Sequence, residues 1–146
     1  MKSNGKTLMG RVTIEFEIAN YQDITRAAHG DLDPKKIRRV KLQGTVDPGA
    51  TRLVLPTAIA KTLGLSILPE KIKVTYADGR KAMRPEADDA RVFILGREGT
   101  FKAILEPKRE KALIGAIVLE DLDFLVDCAR QRLMPRDPDF IVSEIE

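Results

Sequence analysis

Apolar residues fall at every second position in several separate stretches of this chain, and that period rules out an all-helical fold. From 11 to 18 the alternation is strict: Val12, Ile14, Phe16 and Ile18 on one side, Arg11, Thr13, Glu15 and Glu17 on the other. Successive side chains of a strand point to opposite faces, so the pattern predicts a half-buried strand. Residues 37–46 repeat it with Val40, Leu42 and Val46 on one face, and residues 71–76 alternate again. Asp78-Gly79 then separates two extended stretches, as a two-residue hairpin turn does. A second hairpin is predicted from 92–95 and 101–105 around a turn at 96–99, and a closing strand pair from 124–126 and 132–134.

Helical signals are few. Pro56 suits a first helical turn and Gly64 a helix end, so 57–64 is a short helix. Residues 113–119 lead into another that ends near Leu122. Residues 20–36 hold Asn, Gly, three Asp and a Pro, and read as an irregular excursion with one helical turn. The segment 135–146 has two prolines and an acidic end, and is expected to be loosely attached. No repeat or linker divides the chain, so 1–146 is taken as one mostly β domain.

Composition narrows the setting. The chain has 146 residues, 43% hydrophobic and 32% charged, which suits a globular core and excludes global disorder. Its 25 basic and 22 acidic residues are interspersed, so a net charge of +3 is a weak pull on acidic partners. The single cysteine, Cys128, excludes an intramolecular disulfide and fits a reducing compartment. It follows an apolar run, which predicts a packed thiol. No run approaches the ~18 apolar residues of a membrane span. A cytoplasmic protein without a membrane partner is expected.

The stretch 46–56, Val-Asp-Pro-Gly-Ala-Thr-Arg-Leu-Val-Leu-Pro, carries the chemistry. A carboxylate set among apolar residues at a strand end is costly unless it has a specific task. Asp-Pro-Gly is also good turn chemistry, so Asp47 reads either as a turn residue or as a working carboxylate. Two further features follow in order: the Asp78-Gly79 hairpin, and Leu113-Ile114-Gly115 opening a short helix. Together the three resemble the retropepsin-like aspartic peptidases, over about residues 37–134. Residues 1–36 look like the extra N-terminal strands of bacterial members.

The resemblance implies a closed or nearly closed retropepsin-like β-barrel, with one or two short helices, working as a homodimer without cofactor or metal. Asp47 would be catalytic and would meet its copy across a two-fold axis; Pro48, Gly49 and Ala50 would complete its loop. Asp78 and Gly79 would tip a flap, and Leu113, Ile114 and Gly115 would form the pocket floor. The ligand would be a peptide or an unfolded protein segment. The chain departs from the family at Pro48, where members carry Ser or Thr, and at Thr51 and Ala116, where viral members carry an acid–Arg pair. Pro48 therefore also supports a non-cleaving peptide-binding module of the same fold. The basic run 35–41 suggests a barrel for single-stranded nucleic acid, but it lacks aromatic platforms and reads better as a solvated strand face. Glu86, Asp88 and Asp89 read as a charged loop, and His29, the one histidine, supports no zinc site.

Overall fold

The computed structural model describes residues 12–146. Arg11 and the polar N-terminal residues lie outside the described residues. Six strands close a barrel in the order β1 (Val12–Asn20), β2 (Arg39–Val46), β8 (Ala112–Ile114), β3 (Leu53–Pro56), β7 (Arg97–Glu106) and β6 (Glu86–Ile94). Two hairpins stand outside it as separate two-stranded sheets: β4 (Ile72–Thr75) with β5 (Lys81–Arg84), and β9 (Phe124–Asp127) with β10 (Arg132–Pro135). The short helices are α1 (Tyr21–Ala28), α2 (Thr57–Leu63) and α3 (Ala116–Asp121). The expected mostly β barrel is present, with one helix more than expected.

The alternation of β1 becomes its two faces: Val12, Phe16 and Ile18 enter the core, and Thr13 and Glu15 are exposed. β1 pairs with both β2 and β6, so this early strand is integral to the barrel. The core also takes Val46, Leu53, Leu55, Val92, Ile94, Leu105 and Ile114 from the other strands. Each buried aliphatic side chain of this kind stabilises a fold by about 1.5–3 kcal/mol relative to leaving it in water.

Four local expectations need correction. The stretch after β1 is a full helix of 8 residues, because Asn20 caps it by accepting from Asp23 N at 3.0 Å. The buried Asp23 then takes Arg38 in a fork, Nε at 2.8 Å and Nη2 at 2.9 Å, which ties α1 to the start of β2. Glu86, Asp88 and Asp89 lie on β6, not on a loop; a bulge between Ala87 and Ala90 absorbs the charged pair. The β6–β7 turn is only Leu95-Gly96, both at positive φ, because a primed two-residue turn matches the twist of the strands. Cys128 is exposed on the β9–β10 turn, since the apolar run before it ends with β9.

The segment after β10 is bonded to the body more than its composition suggested. Arg97 donates to the carbonyls of Asp137 and Phe140, and the buried Asp123 accepts Val142 N at 2.9 Å and Arg136 Nε at 2.7 Å. Among the described residues no helix is long and apolar enough to cross a membrane.

Candidate active site

Asp47 sits where β2 ends and the chain turns toward β3. Between these two strands lies β8, parallel to β2 through Val46–Ile114 and antiparallel to β3 through Val54–Leu113. A strand arriving late in the sequence thus threads between two strands joined by a short loop. The loop is fastened to it by backbone bonds: Asp47 N to Ile114 O at 2.9 Å, Ala116 N to Ala50 O at 2.8 Å and Ile117 N to Thr51 O at 2.9 Å. These bonds fasten Thr51 and Ala116 through their backbone atoms.

Gly115 makes the weave possible. A methyl group there would stand 2.5 Å from Arg52 O and 2.8 Å from Ala50 O, inside van der Waals contact with backbone that cannot yield cheaply. Asp47, Pro48, Gly49 and Ala50 form a turn closed by Ala50 N to Asp47 O at 3.1 Å. Asp47 Oδ1 accepts Gly49 N at 2.9 Å, so the carboxylate is also oriented by its own turn. The geometry of Asp47 is that of a turn former, with one carboxylate oxygen engaged by the turn itself. Its Oδ2 has no partner among the described residues. Asp47 is half-buried, while Pro48 and Gly49 are exposed, so the loop tip faces outward.

The other predicted residues divide between two places. Ile114 is fully buried in the barrel core and Leu113 is half-buried, so Ile114 supports the loop from beneath through its carbonyl. Asp78 and Gly79 lie at the tip of the β4–β5 hairpin. Tyr76 N bonds Arg80 O at 2.8 Å, so the turn holds three residues, Ala77, Asp78 and Gly79, one more than expected. Gly79 takes φ of 88°, the left-handed position that such loops require. Asp78 accepts Arg80 Nε at 2.8 Å and Arg80 N at 3.0 Å, and the Arg80 guanidinium, chiefly, holds its carboxyl below the usual carboxylate range.

Sequence reading missed the residues that join the two places. Arg52 pairs with Glu86 at 2.9 Å, linking the Asp47 loop to the strand that follows the hairpin. Glu106, the last residue of β7, accepts Tyr76 Oη at 2.6 Å and Arg84 Nε at 2.8 Å. The Glu106 bond, first, and burial second raise the Tyr76 phenol above its ordinary value. Nothing in the sequence marked Glu106, because it follows an apolar run as any strand-ending residue would.

The remaining candidates find ordinary partners. Arg39 of the basic run pairs with Glu17 at 3.4 Å, and Lys41 stands opposite Glu17 in the β1–β2 register, so the run is offset by acid on its neighbour strand. Asp89 accepts Gln22 at 2.9 Å while Glu86 faces Arg52, so the three acidic residues do not converge. Among the described residues no group of three or more His, Cys, Asp or Glu is placed to hold a metal ion.

No family model matches the chain, and no curated protein matches it. Among solved structures it is similar to an EIAV protease complexed with the inhibitor HBY-793, at 19% identity over 56% of this chain and 77% of that one, with a TM-score of 0.47. It is similar to a Simian Foamy Virus (mac) protease at 16% identity, over 54% of this chain and 80% of that one, with a TM-score of 0.41. A foamy viral protease-reverse transcriptase in complex with an RNA/DNA hybrid matches at 18% identity over 54% of this chain and 10% of that one, with a TM-score of 0.44.

Proposed function

We propose that the protein is an aspartic endopeptidase, active as a homodimer in which Asp47 of each copy forms one dyad. The observation that carries this reading is the Asp47 loop: a half-buried carboxylate, oriented by Gly49 N–H, on an outward tip laced by backbone bonds to a threaded strand. Such a loop is stiffer than a connecting turn needs. Two such tips meeting across a two-fold axis would set their carboxylates against each other.

At ~3 Å separation the two carboxylates cannot both ionise readily, so they share a proton. The ionised one takes a proton from a water lying between them. The water oxygen attacks the scissile carbonyl, whose oxygen is polarised by the protonated partner. The tetrahedral species then collapses as the amine leaves with a proton. The β4–β5 hairpin, tipped by Asp78 and Gly79, would close over the peptide, with Leu113, Ile114 and Gly115 supporting the floor.

The test is digestion of a diverse peptide mixture at several pH values, read by mass spectrometry, alongside Asp47→Asn and with dimerisation checked by sedimentation. Cleavage by the parent that disappears in the variant is the expected result. A confirmed dimer that cleaves nothing would sink the reading. Pro48 favours a second reading, a peptide-binding module without turnover. It offers neither hydroxyl nor N–H to brace two loops across an axis. Peptide capture that persists in Asp47→Ala, with no products from either form, would select it.

A further inference from the structure

The β4–β5 hairpin has an unusual mode of attachment. It shares no ladder with the barrel. Its entry and exit are fixed side by side at the start of β6: Leu68 N bonds Glu86 O at 2.8 Å, and Leu105 N bonds Pro85 O at 3.0 Å. The Arg52–Glu86 pair grips the same point from the Asp47 loop. Between these anchors, among the described residues, the hydrogen bonds from 69–84 to the rest of the chain all end on Glu106.

We propose that Glu106 is the positioning residue of this hairpin, one carboxylate latching both of its strands onto the barrel, so that releasing its two bonds frees the hairpin to swing about Pro85. This rests on reading the hairpin as the lid over Asp47.

The division of labour within the carboxylate supports the latch. Oε2 takes the hydroxyl of Tyr76, which follows β4, and Oε1 takes the guanidinium of Arg84, which ends β5. Each hairpin strand therefore has one bond, and losing Glu106 removes both. Distances of 2.6 and 2.8 Å lie in the range of charge-assisted bonds, which are about twice as strong as neutral ones. Glu106 is itself fixed, paired with Pro56 in the parallel ladder of β3 and β7. From Tyr76 the contact continues outward: Arg80 stacks on its ring at 4.7 Å and pairs with Asp78 at the tip. The half-buried Ile72, Val74 and Ala82 lend the hairpin only modest apolar cover. An undocked two-stranded hairpin is at best marginally stable in water, so release also frays its own ladder and is visible in amide exchange.

The experiment compares hydrogen exchange in the full chain, the Glu106→Gln variant, the Tyr76→Phe variant and the double variant. Exchange of the hairpin's ladder amides, Val74, Tyr76 and Ala82, is expected to rise about tenfold or more in Glu106→Gln, while β1 and β6 amides keep their parent rates. Tyr76→Phe should give a smaller rise, and should add little in the Glu106→Gln background, because both changes break one latch. Parent-like hairpin exchange in Glu106→Gln would overturn the proposal, as would a rise shared equally by the barrel. Should Glu106→Gln fail to fold, Tyr76→Phe decides by the same hairpin-against-barrel contrast. Binding of a peptide mixture by the same variants separates the two readings. A freed hairpin with unchanged peptide binding leaves the latch standing and removes the lid.

Discussion

The Asp47 loop and the β4–β5 hairpin are held by opposite means. The loop is laced by backbone bonds to β8 and closed over a glycine that admits no side chain. The hairpin is held by side chains from outside the barrel ladder, gathered on one carboxylate. Backbone bonds inside a packed barrel open only with the whole fold, whereas a side-chain latch opens alone. The proposed site, with Asp47 fixed and the hairpin as a moving lid, would draw on this contrast.

The comparison can be broken hardest at Gly115. Gly115→Ala forces a methyl against two carbonyl oxygens and should cost about 3 kcal/mol in global stability, read by urea denaturation. A cost below about 1 kcal/mol would mean that the weave is loose. Gly79→Ala tests the other side. No atom lies within 4 Å of the added methyl, so the penalty is purely the left-handed backbone, about 1 kcal/mol. It should fall on hairpin exchange and leave the urea midpoint of the barrel nearly unchanged.

A pH series sharpens the contrast with a second side-chain clasp. Asp123 is held below the usual carboxylate range, first by Val142 N–H and then by Arg136. A carboxylate lowered in the folded state stabilises above its unfolded value, near 3.9, and loses that contribution as pH falls through the folded one. The Val142 amide should therefore stay protected at pH 6 and lose protection below about pH 4, before the barrel amides respond. Simultaneous loss would place the segment inside the cooperative core. The smallest effect is expected at Cys128. Cys128→Ser should shift stability by less than about 0.5 kcal/mol, and the parent thiol should react with a thiol reagent in the folded state, since it is exposed.

How legible these features were depends on what holds them. The barrel strands were readable because a strand buried on one face must alternate, as Val12, Phe16 and Ile18 do. The turn at Asp47 to Ala50 was readable because turn formers and glycine cluster there. Helix α1 was obscured by Asp and Asn, which favour turns. The overlooked signal was Asn20 three residues before Asp23, a capping spacing. The β6–β7 turn misled because leucine at φ of 47° is rare, which drew attention to the later glycine pair. Glu106 and Arg52 could not be read at all, because their meaning lies in what the fold sets beside them.

The threading of β8 between β2 and β3 has a consequence for synthesis. The Asp47 loop cannot take its final shape until residues 112–117 have left the ribosome and inserted between strands made much earlier. Pairings so distant in sequence form slowly. A nascent or truncated chain lacking that segment therefore carries Asp47 without its support, and the proposed activity would be withheld until residues 112–117 have been made and inserted.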